Sequence, residues 1–197
     1  MNTHAHQTFT VTMHTVFEVE KPSESLLYRQ FNKKLGNKFL LWHGCKQTSL
    51  VATLRQGLSM PSLQSASTGL MFGKGIYFAD MSSKSANYCW TTPSKNVGLI
   101  LLCEVSLGKK NKLVRADYEA DKLPKGMDSV MGLGRVAPTS QTKLNDGTIV
   151  PMGPGKETGI QNNERGGYTL NYNEYIVYDV SQVKMRYLAQ IKFNYKY

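Results

Sequence analysis

Hydrophobic and polar positions alternate with period two near both ends of this 197-residue chain. Across Thr8–Glu20, Phe9, Val11, Met13, Phe17 and Val19 fall on one side, with mostly Thr, His and Glu on the other. Val183–Tyr195 repeats the pattern: Val183, Met185, Tyr187, Ala189, Ile191, Phe193 and Tyr195 face one way, and Lys184, Arg186, Lys192 and Asn194 the other. Successive side chains of a strand point to opposite faces, so both segments are expected to be half-buried strands. Between them the period changes. Pro22–Ser23 stops the first strand, and Ser23–Leu35 carries Leu26, Leu27, Phe31 and Leu35 at helical spacing, with Gly36 able to close the turn in a left-handed conformation. Lys38–Trp42 is a short apolar run, expected as a buried strand that ends at His43–Gly44. Thr48 can cap a helix bearing Leu50, Val51 and Leu54 that stops at Gly57. Ser59–Thr68 and Thr91–Lys95 are loops; Val97–Leu107 is too apolar for a surface strand and belongs in the middle of a sheet. From Gly108 to Arg165 regularity fades, apart from the strong hairpin turn Asn145–Asp146–Gly147 ahead of Thr148–Val150. Tyr172–Val180 is an aromatic and β-branched strand. Seven or more strands and three short helices, not alternating in the βαβ manner, predict a strand-rich, mostly antiparallel α+β fold over a single domain, residues 1–197.

Composition narrows the class. Three cysteines, Cys45, Cys89 and Cys103, are odd in number and lack CxxC spacing, which argues against a disulfide framework or zinc cluster and favours a reducing compartment. The start, MNTHAHQ, has no apolar run of the signal-peptide kind, and His4-x-His6 lacks the further ligands of a metal site. The longest apolar patch, Leu99–Cys103, is too short to span a membrane, so a soluble protein is expected. Lys+Arg 24 against Asp+Glu 14 gives a formal charge of +10. Such a surface attracts polyanions without selectivity, and its positive residues are scattered except at Lys109, Lys110 and Lys112 and near the C-terminus.

The densest chemistry lies in Gly69–Cys89, GLMFGKGIYFADMSSKSANYC. Gly69, Gly73 and Gly75 permit tight turns or close approach of backbone to a ligand. Tyr77, Phe78 and Tyr88 supply flat rings, Ser82, Ser83 and Ser85 hydroxyls, and Asp80 a cap for a short helix from Met81 to about Trp90. Together they suit a flat, polar, phosphate-bearing ligand, or equally a turn, a strand and a surface helix. His43 at the end of an apolar strand is either a satisfied core histidine or an imidazole at a cleft rim. Glu174, within the otherwise neutral YNEYIVYD, is either at a sheet edge or in a site, because burying a carboxylate without a partner is costly. No Walker A sequence, no GxGxxG after a strand and no GxSxG elbow is present, so kinase, Rossmann and serine-hydrolase chemistry are unsupported.

Three long blocks, LLWHG (Leu40–Gly44), TGLMFGKGIYFADMSSKSANYC (Thr68–Cys89) and TLNYNEYIVYDVSQVKMRYL (Thr169–Leu188), resemble the catalytic domain of the poly(ADP-ribose) polymerases, nearest to their DNA-damage-responsive nuclear branch; FEVEK and LPKGMDSVMGLG agree. The resemblance covers Asn2 to Tyr195 and implies the ADP-ribosylation fold, two antiparallel sheets with short flanking helices around an NAD⁺ cleft. It implies that His43, Tyr77 and Glu174 form the family's catalytic triad. It further implies that NAD⁺, the cosubstrate, is held by His43, Gly44, Cys45, Ser59, Tyr77, Lys84, Ser85 and Tyr88, with no metal. In this picture His43 holds the adenosine ribose, Gly44 and Ser85 the nicotinamide amide, and Tyr88 and Tyr77 sandwich the nicotinamide ring. Glu174 stabilises the developing positive charge on the sugar and polarises the acceptor hydroxyl. Three departures stand out: Ser59 where relatives have arginine, Leu70 where a tyrosine is common, and Cys45 for the usual serine, whereas Met71 follows the family. The implied function is transfer of ADP-ribose to protein acceptors, the chain itself among them, and elongation to poly(ADP-ribose) with release of nicotinamide. Mono(ADP-ribosyl)transfer and a non-catalytic module binding NAD⁺, polymer or nucleic acid through its basic surface are the alternatives. Relatives carry an autoinhibitory helical domain and DNA-binding modules for which these residues leave no room, so activity independent of DNA is expected. A soluble monomer without membrane contact is expected too, nuclear by resemblance in a eukaryote and cytoplasmic otherwise.

Overall fold

The computed structural model describes residues 8–61, 70–159 and 170–196. His4, His6 and Gly69, named above, lie outside the described residues. Eleven strands and three α-helices occur among those described. They are β1 (Phe9–Glu18), α1 (Pro22–Leu35), β2 (Lys38–Gly44), α2 (Gln47–Gln56), β3 (Ile76–Phe78), α3 (Ser82–Ala86), β4 (Val97–Ser106), β5 (Lys110–Leu113), β6 (Ser129–Gly132), β7 (Gly134–Lys143), β8 (Ile149–Glu157), β9 (Leu170–Tyr172), β10 (Glu174–Val177) and β11 (Val183–Tyr195). Seven strands form one sheet in the order β1-β11-β4-β2-β8-β7-β9, and four form the other, β3-β10-β6-β5. The strand-rich α+β reading stands, but the sheets are mixed rather than antiparallel throughout. The pairs β2–β8, β7–β9 and β5–β6 run parallel.

The chain passes twice from one sheet to the other. β6 lies in the small sheet and β7, one residue later, in the large one; β9 lies in the large sheet and β10, one residue later, in the small one. The crossings are at Leu133 and Asn173. A third link ties β2 to the end of β3, where Trp42 and Ala79 exchange backbone hydrogen bonds of 2.8 and 2.9 Å. The main core fills the space between the sheets, with Leu41, Phe78, Leu101, Cys103, Val105 and Val177 all fully buried or nearly so. Two smaller clusters cover the outer faces, one around Ile100, Ile191 and Phe193 and the other around Phe72, Val130 and Ile176. β4 feeds both sides of the large sheet, which explains its near-continuous apolar run.

Several local expectations change. The alternation in Val183–Tyr195 is real, but β11 carries a register shift between Met185 and Tyr187. An extra residue reverses the facing of a strand. Val183 and Met185 therefore join the main core, while Ala189, Ile191 and Phe193 join the outer cluster. β1, at the edge of the sheet, has a similar shift between Met13 and Thr15, and its face is largely solvent-exposed: Met13, Val16 and Phe17 are open. In α1 the leucines Leu26 and Leu27 are exposed too. The side that packs carries Ser25 and Tyr28, and Tyr28 and Asn32 both hydrogen-bond the hydroxyl of Ser106 on β4. That polar anchor overrides the leucine pattern. Proline opens α1 at its first turn and Gly36 closes it at φ +63°. α2 follows Lys46 without a side-chain cap, and Thr48 falls inside its first turn. Asp80 does not cap α3, which follows Met81 and runs into a 3₁₀ turn at Asn87–Cys89.

Candidate active site

A cavity of about 280 Å³ opens between the end of β2, β3, α3 and the start of β10. Strand pairing places three of its walls. His43 is the penultimate residue of β2, opposite Leu101, Tyr77 sits in β3 opposite Ile176, and Glu174 begins β10 opposite Gly132. Residues separated by up to 131 positions thereby face one another, and all three line the cavity.

His43 Nδ1 stands 2.8 Å from the backbone oxygen of Tyr77. A carbonyl can only accept, so Nδ1 carries the proton. Burial pushes the imidazole pKa below its usual value, an effect opposed by the bond to Tyr77. The ring is therefore neutral at pH 7, and Nε2 keeps a lone pair able to accept from a hydroxyl. Tyr77 is pinned by its own hydroxyl, which donates to Gly73 O at 2.8 Å and accepts from Phe72 N–H at 3.0 Å. Burial raises the phenol pKa, so the ring is a neutral wall and not a base. The bond to Gly73 shows what the glycine-rich segment does: it wraps the tip of Tyr77. Gly75 permits this wrap, because a Cβ there would lie 2.4 Å from Ile176.

Glu174 is 6% exposed. One oxygen, Oε1, pairs with Lys84 Nζ at 2.6 Å, and Oε2 is buried with no partner. A buried carboxylate oxygen without a donor is expensive, and the residue that bears it lines the cavity. Lys84 and Ser85 come from α3. Ser85 donates its hydroxyl to Trp42 O at 3.0 Å, which locks the helix onto β2. Packing there is close: a Cβ on Gly44 would fall 1.8 Å from the backbone oxygen of Ser85. Trp42 spends its N–H and C=O on Ala79 at this edge. Gly44, two residues along, presents its own pair on the same side, next to the cavity. Tyr88 is half exposed at the rim.

Of the residues expected to bind ligand, His43, Gly44, Ser59, Tyr77, Lys84, Ser85, Tyr88 and Glu174 line the cavity. Cys45 does not; it packs against the main core, where burial raises its thiol pKa. Backbone alternation explains this, since Cys45 follows Gly44. Leu70, one of the departures, is in the lining, and so are Thr53, Leu58 and Pro61, which no sequence signal marked. Among the described residues no group of three or more His, Cys, Asp or Glu side chains is placed to hold a metal ion, and no helix is long and apolar enough to cross a membrane.

Comparison with known proteins agrees with this geometry. Residues 1–193 match the family model of the poly(ADP-ribose) polymerase catalytic domain. Human poly(ADP-ribose) polymerase 2 is 49% identical over 98% of this chain and 33% of its own length. Poly(ADP-ribose) polymerase 2 of Arabidopsis thaliana is 46% identical over the whole chain and 30% of its length, and poly(ADP-ribose) polymerase 1 of Gallus gallus 50% over 99% and 19%. This chain thus spans a third or less of these curated relatives. With match and geometry both extending over the cavity, the chain belongs to the poly(ADP-ribose) polymerase catalytic domain family.

Proposed function

We propose that this chain is an NAD⁺ ADP-ribosyltransferase that releases nicotinamide, attaches ADP-ribose to protein acceptors and extends it to poly(ADP-ribose). The observation that carries the proposal is Glu174: a buried carboxylate lining the cavity beside His43 and Tyr77, with one oxygen held by Lys84 and the other buried without a partner. NAD⁺ is the substrate, and its chemistry is the loss of an already cationic leaving group from ribose. No general acid is then required, which fits a site with one carboxylate rather than the pair used by glycosidases.

Each residue has a defined task in this proposal. Gly44 offers N–H and C=O to the carboxamide of nicotinamide, and Ser85 adds a hydroxyl. Tyr77 and Tyr88 stack on the pyridinium ring, contributing roughly 0.5–1.5 kcal/mol beyond buried area. His43 Nε2 accepts from an adenosine ribose hydroxyl. Ser59 lines the adenosine side. The Glu174 carboxylate accepts from the ribose 2′-hydroxyl, places negative charge beside the carbon that becomes oxocarbenium-like, and polarises the incoming acceptor hydroxyl. Lys84 keeps Glu174 aimed through their 2.6 Å ion pair. Acceptors are protein side chains, and the +10 surface favours polyanionic product or nucleic acid nearby. In a eukaryote the location is nuclear, by analogy with these relatives, and otherwise cytoplasmic.

Incubation with labelled NAD⁺ tests the proposal. A ladder of products supports polymerase activity. A single labelled band supports the mono-transferase reading, against which Glu174 argues and which Ser59 and Leu70 in the lining leave open. Absence of both label and nicotinamide release overturns catalysis.

A further inference from the structure

Behind Glu174, on the side of β10 away from the cavity, lies a second buried carboxylate with no assigned role. Asp80 follows the Trp42–Ala79 bridge and precedes α3, so it stands between the strand of Tyr77 and the helix of Lys84 and Ser85. It is 6% exposed. Its Oδ2 accepts from Asn173 Nδ2 at 2.8 Å and from the Tyr175 hydroxyl at 3.1 Å. These are the two neighbours of Glu174. In an extended chain residues i−1 and i+1 point away from residue i. Asp80 thus holds the back of the segment whose front carries the carboxylate in the cleft.

The same contacts reach the crossings between the sheets. Asn173 is the single residue between β9 and β10, and its Oδ1 accepts from Gly134 N–H at 2.9 Å, the first residue after the β6–β7 crossing. One chain of bonds, Asp80–Asn173–Gly134, therefore ties together both crossings and the β3–α3 joint. Tyr175 is fixed independently against Phe39, with ring centroids 5.9 Å apart. Lys110 Nζ lies over both rings, at 4.5 and 5.8 Å, and its charge faces Asp80.

We propose that Asp80 is a positioning residue for the reaction: by gripping Asn173 and Tyr175 from behind, it sets where Glu174 stands in the cleft. This rests on the transferase reading above. Asp80 touches no substrate and acts only through Glu174. An interior carboxylate with one oxygen left unpartnered, as Asp80 Oδ1 is, is costly if its role is only to fill space.

The test is a double-mutant cycle read as nicotinamide release from NAD⁺, using the full chain as wild type, Asp80→Asn, Glu174→Gln and the double variant. Asp80→Asn is expected to lower kcat about tenfold in the wild-type background, since sub-ångström misplacement costs that much. In the Glu174→Gln background the further loss is expected to be under about twofold. Inhibition by free nicotinamide should change by less than about twofold, because Gly44, Ser85 and Tyr88 are untouched. Equal losses in both backgrounds, or a nicotinamide affinity that falls in step with kcat, overturn the proposal and leave Asp80 a structural residue. If Asp80→Asn loses cooperative thermal unfolding, Tyr175→Phe replaces it; that variant removes one grip and is expected to cost about threefold, again only when Glu174 is present. A wild-type chain that releases no nicotinamide overturns the transferase reading and this proposal together. Turnover with no coupling between positions 80 and 174 overturns this proposal alone.

Discussion

Glu174 and Gly44 are the two residues whose replacement separates chemistry from binding. Glu174→Gln keeps the side chain's shape but removes the carboxylate that the proposed reaction sets against the sugar, and it leaves Lys84 without its partner at 2.6 Å. Chain elongation should fall by roughly 10²–10³, read from polymer length on a labelled-NAD⁺ gel, while nicotinamide analogues still bind. Unchanged polymer length would remove Glu174 from the chemistry. Gly44→Ala does the opposite. Its new Cβ meets backbone at 1.8 Å, so α3 must move off β2. Binding of nicotinamide analogues, measured by calorimetry, should fall at least about tenfold, with a stability loss of about 1–3 kcal/mol. How far the site was legible follows from such differences. His43, Tyr77, Ser85, Tyr88 and Glu174 stood in blocks whose order resembles a known family, and all five line the cavity. The ion pair between Lys84 and Glu174 was not legible, because two residues 90 positions apart meet only through the pairing of β10 with β3. Asp80 was misread because local sequence offered a helix cap, while Asn173 and Tyr175 outcompeted it for the carboxylate.

At the level of elements, the large sheet is held by an ionic cluster as well as by its core. Glu104 of β4 is 4% exposed and meets Arg186 of β11 at 2.5 Å and Lys38 of β2 at 3.7 Å. Asp146 of the β7–β8 turn completes the group, 3.5 Å from Lys38 and 3.7 Å from Arg186. Four segments are pinned around one buried carboxylate. Arg186→Met leaves Glu104 with the Tyr28 hydroxyl and the longer contact to Lys38, and should cost about 3 kcal/mol in urea unfolding. Arg186→Met combined with Glu104→Leu should recover most of that loss, because an apolar pair needs no counter-charge. Failure of the second change to rescue would show that the cluster stabilises by attraction rather than by avoiding an unpaired charge. The same strands show where periodicity stops being informative. Alternation located β11 within a residue or so, yet the bulge between Met185 and Tyr187 divides its buried side chains between two cores. A bulge leaves the period-two pattern intact in sequence and reverses its meaning in space. The parallel pairs β2–β8 and β5–β6 were equally hidden, since each depends on which edge a distant segment meets.

For the molecule as a whole, two sheets that exchange strands at Leu133 and Asn173 cannot separate without breaking the site that lies between them. Beside that site the fold buries a second carboxylate, Asp80. Burial raises the Asp80 pKa to about 6, against 3.8 for an unconstrained aspartate, and the donors Asn173 and Tyr175 and the charge of Lys110 only partly offset it. The folded chain then holds a proton between about pH 4 and 6 that the unfolded chain has released. The resulting stability is complete below the unfolded pKa and is lost as pH rises through the folded one. Two units correspond to at most about 3 kcal/mol, carried at neutral pH as the cost of an ionised interior carboxylate. His43 runs the other way: its lowered pKa favours the fold above its unfolded value and is lost on acidification. A pH profile of the wild type alone mixes the two. The difference in unfolding free energy between Asp80→Asn and wild type isolates Asp80, because His43 is common to both. That difference should shift in favour of asparagine by about 2–3 kcal/mol between pH 4 and pH 8, whatever its absolute value at either end. Guanidinium unfolding at four or five pH values measures it. A flat difference would mean that Asp80 titrates in the folded protein as it does in the unfolded chain, and that its burial costs the fold nothing through ionisation.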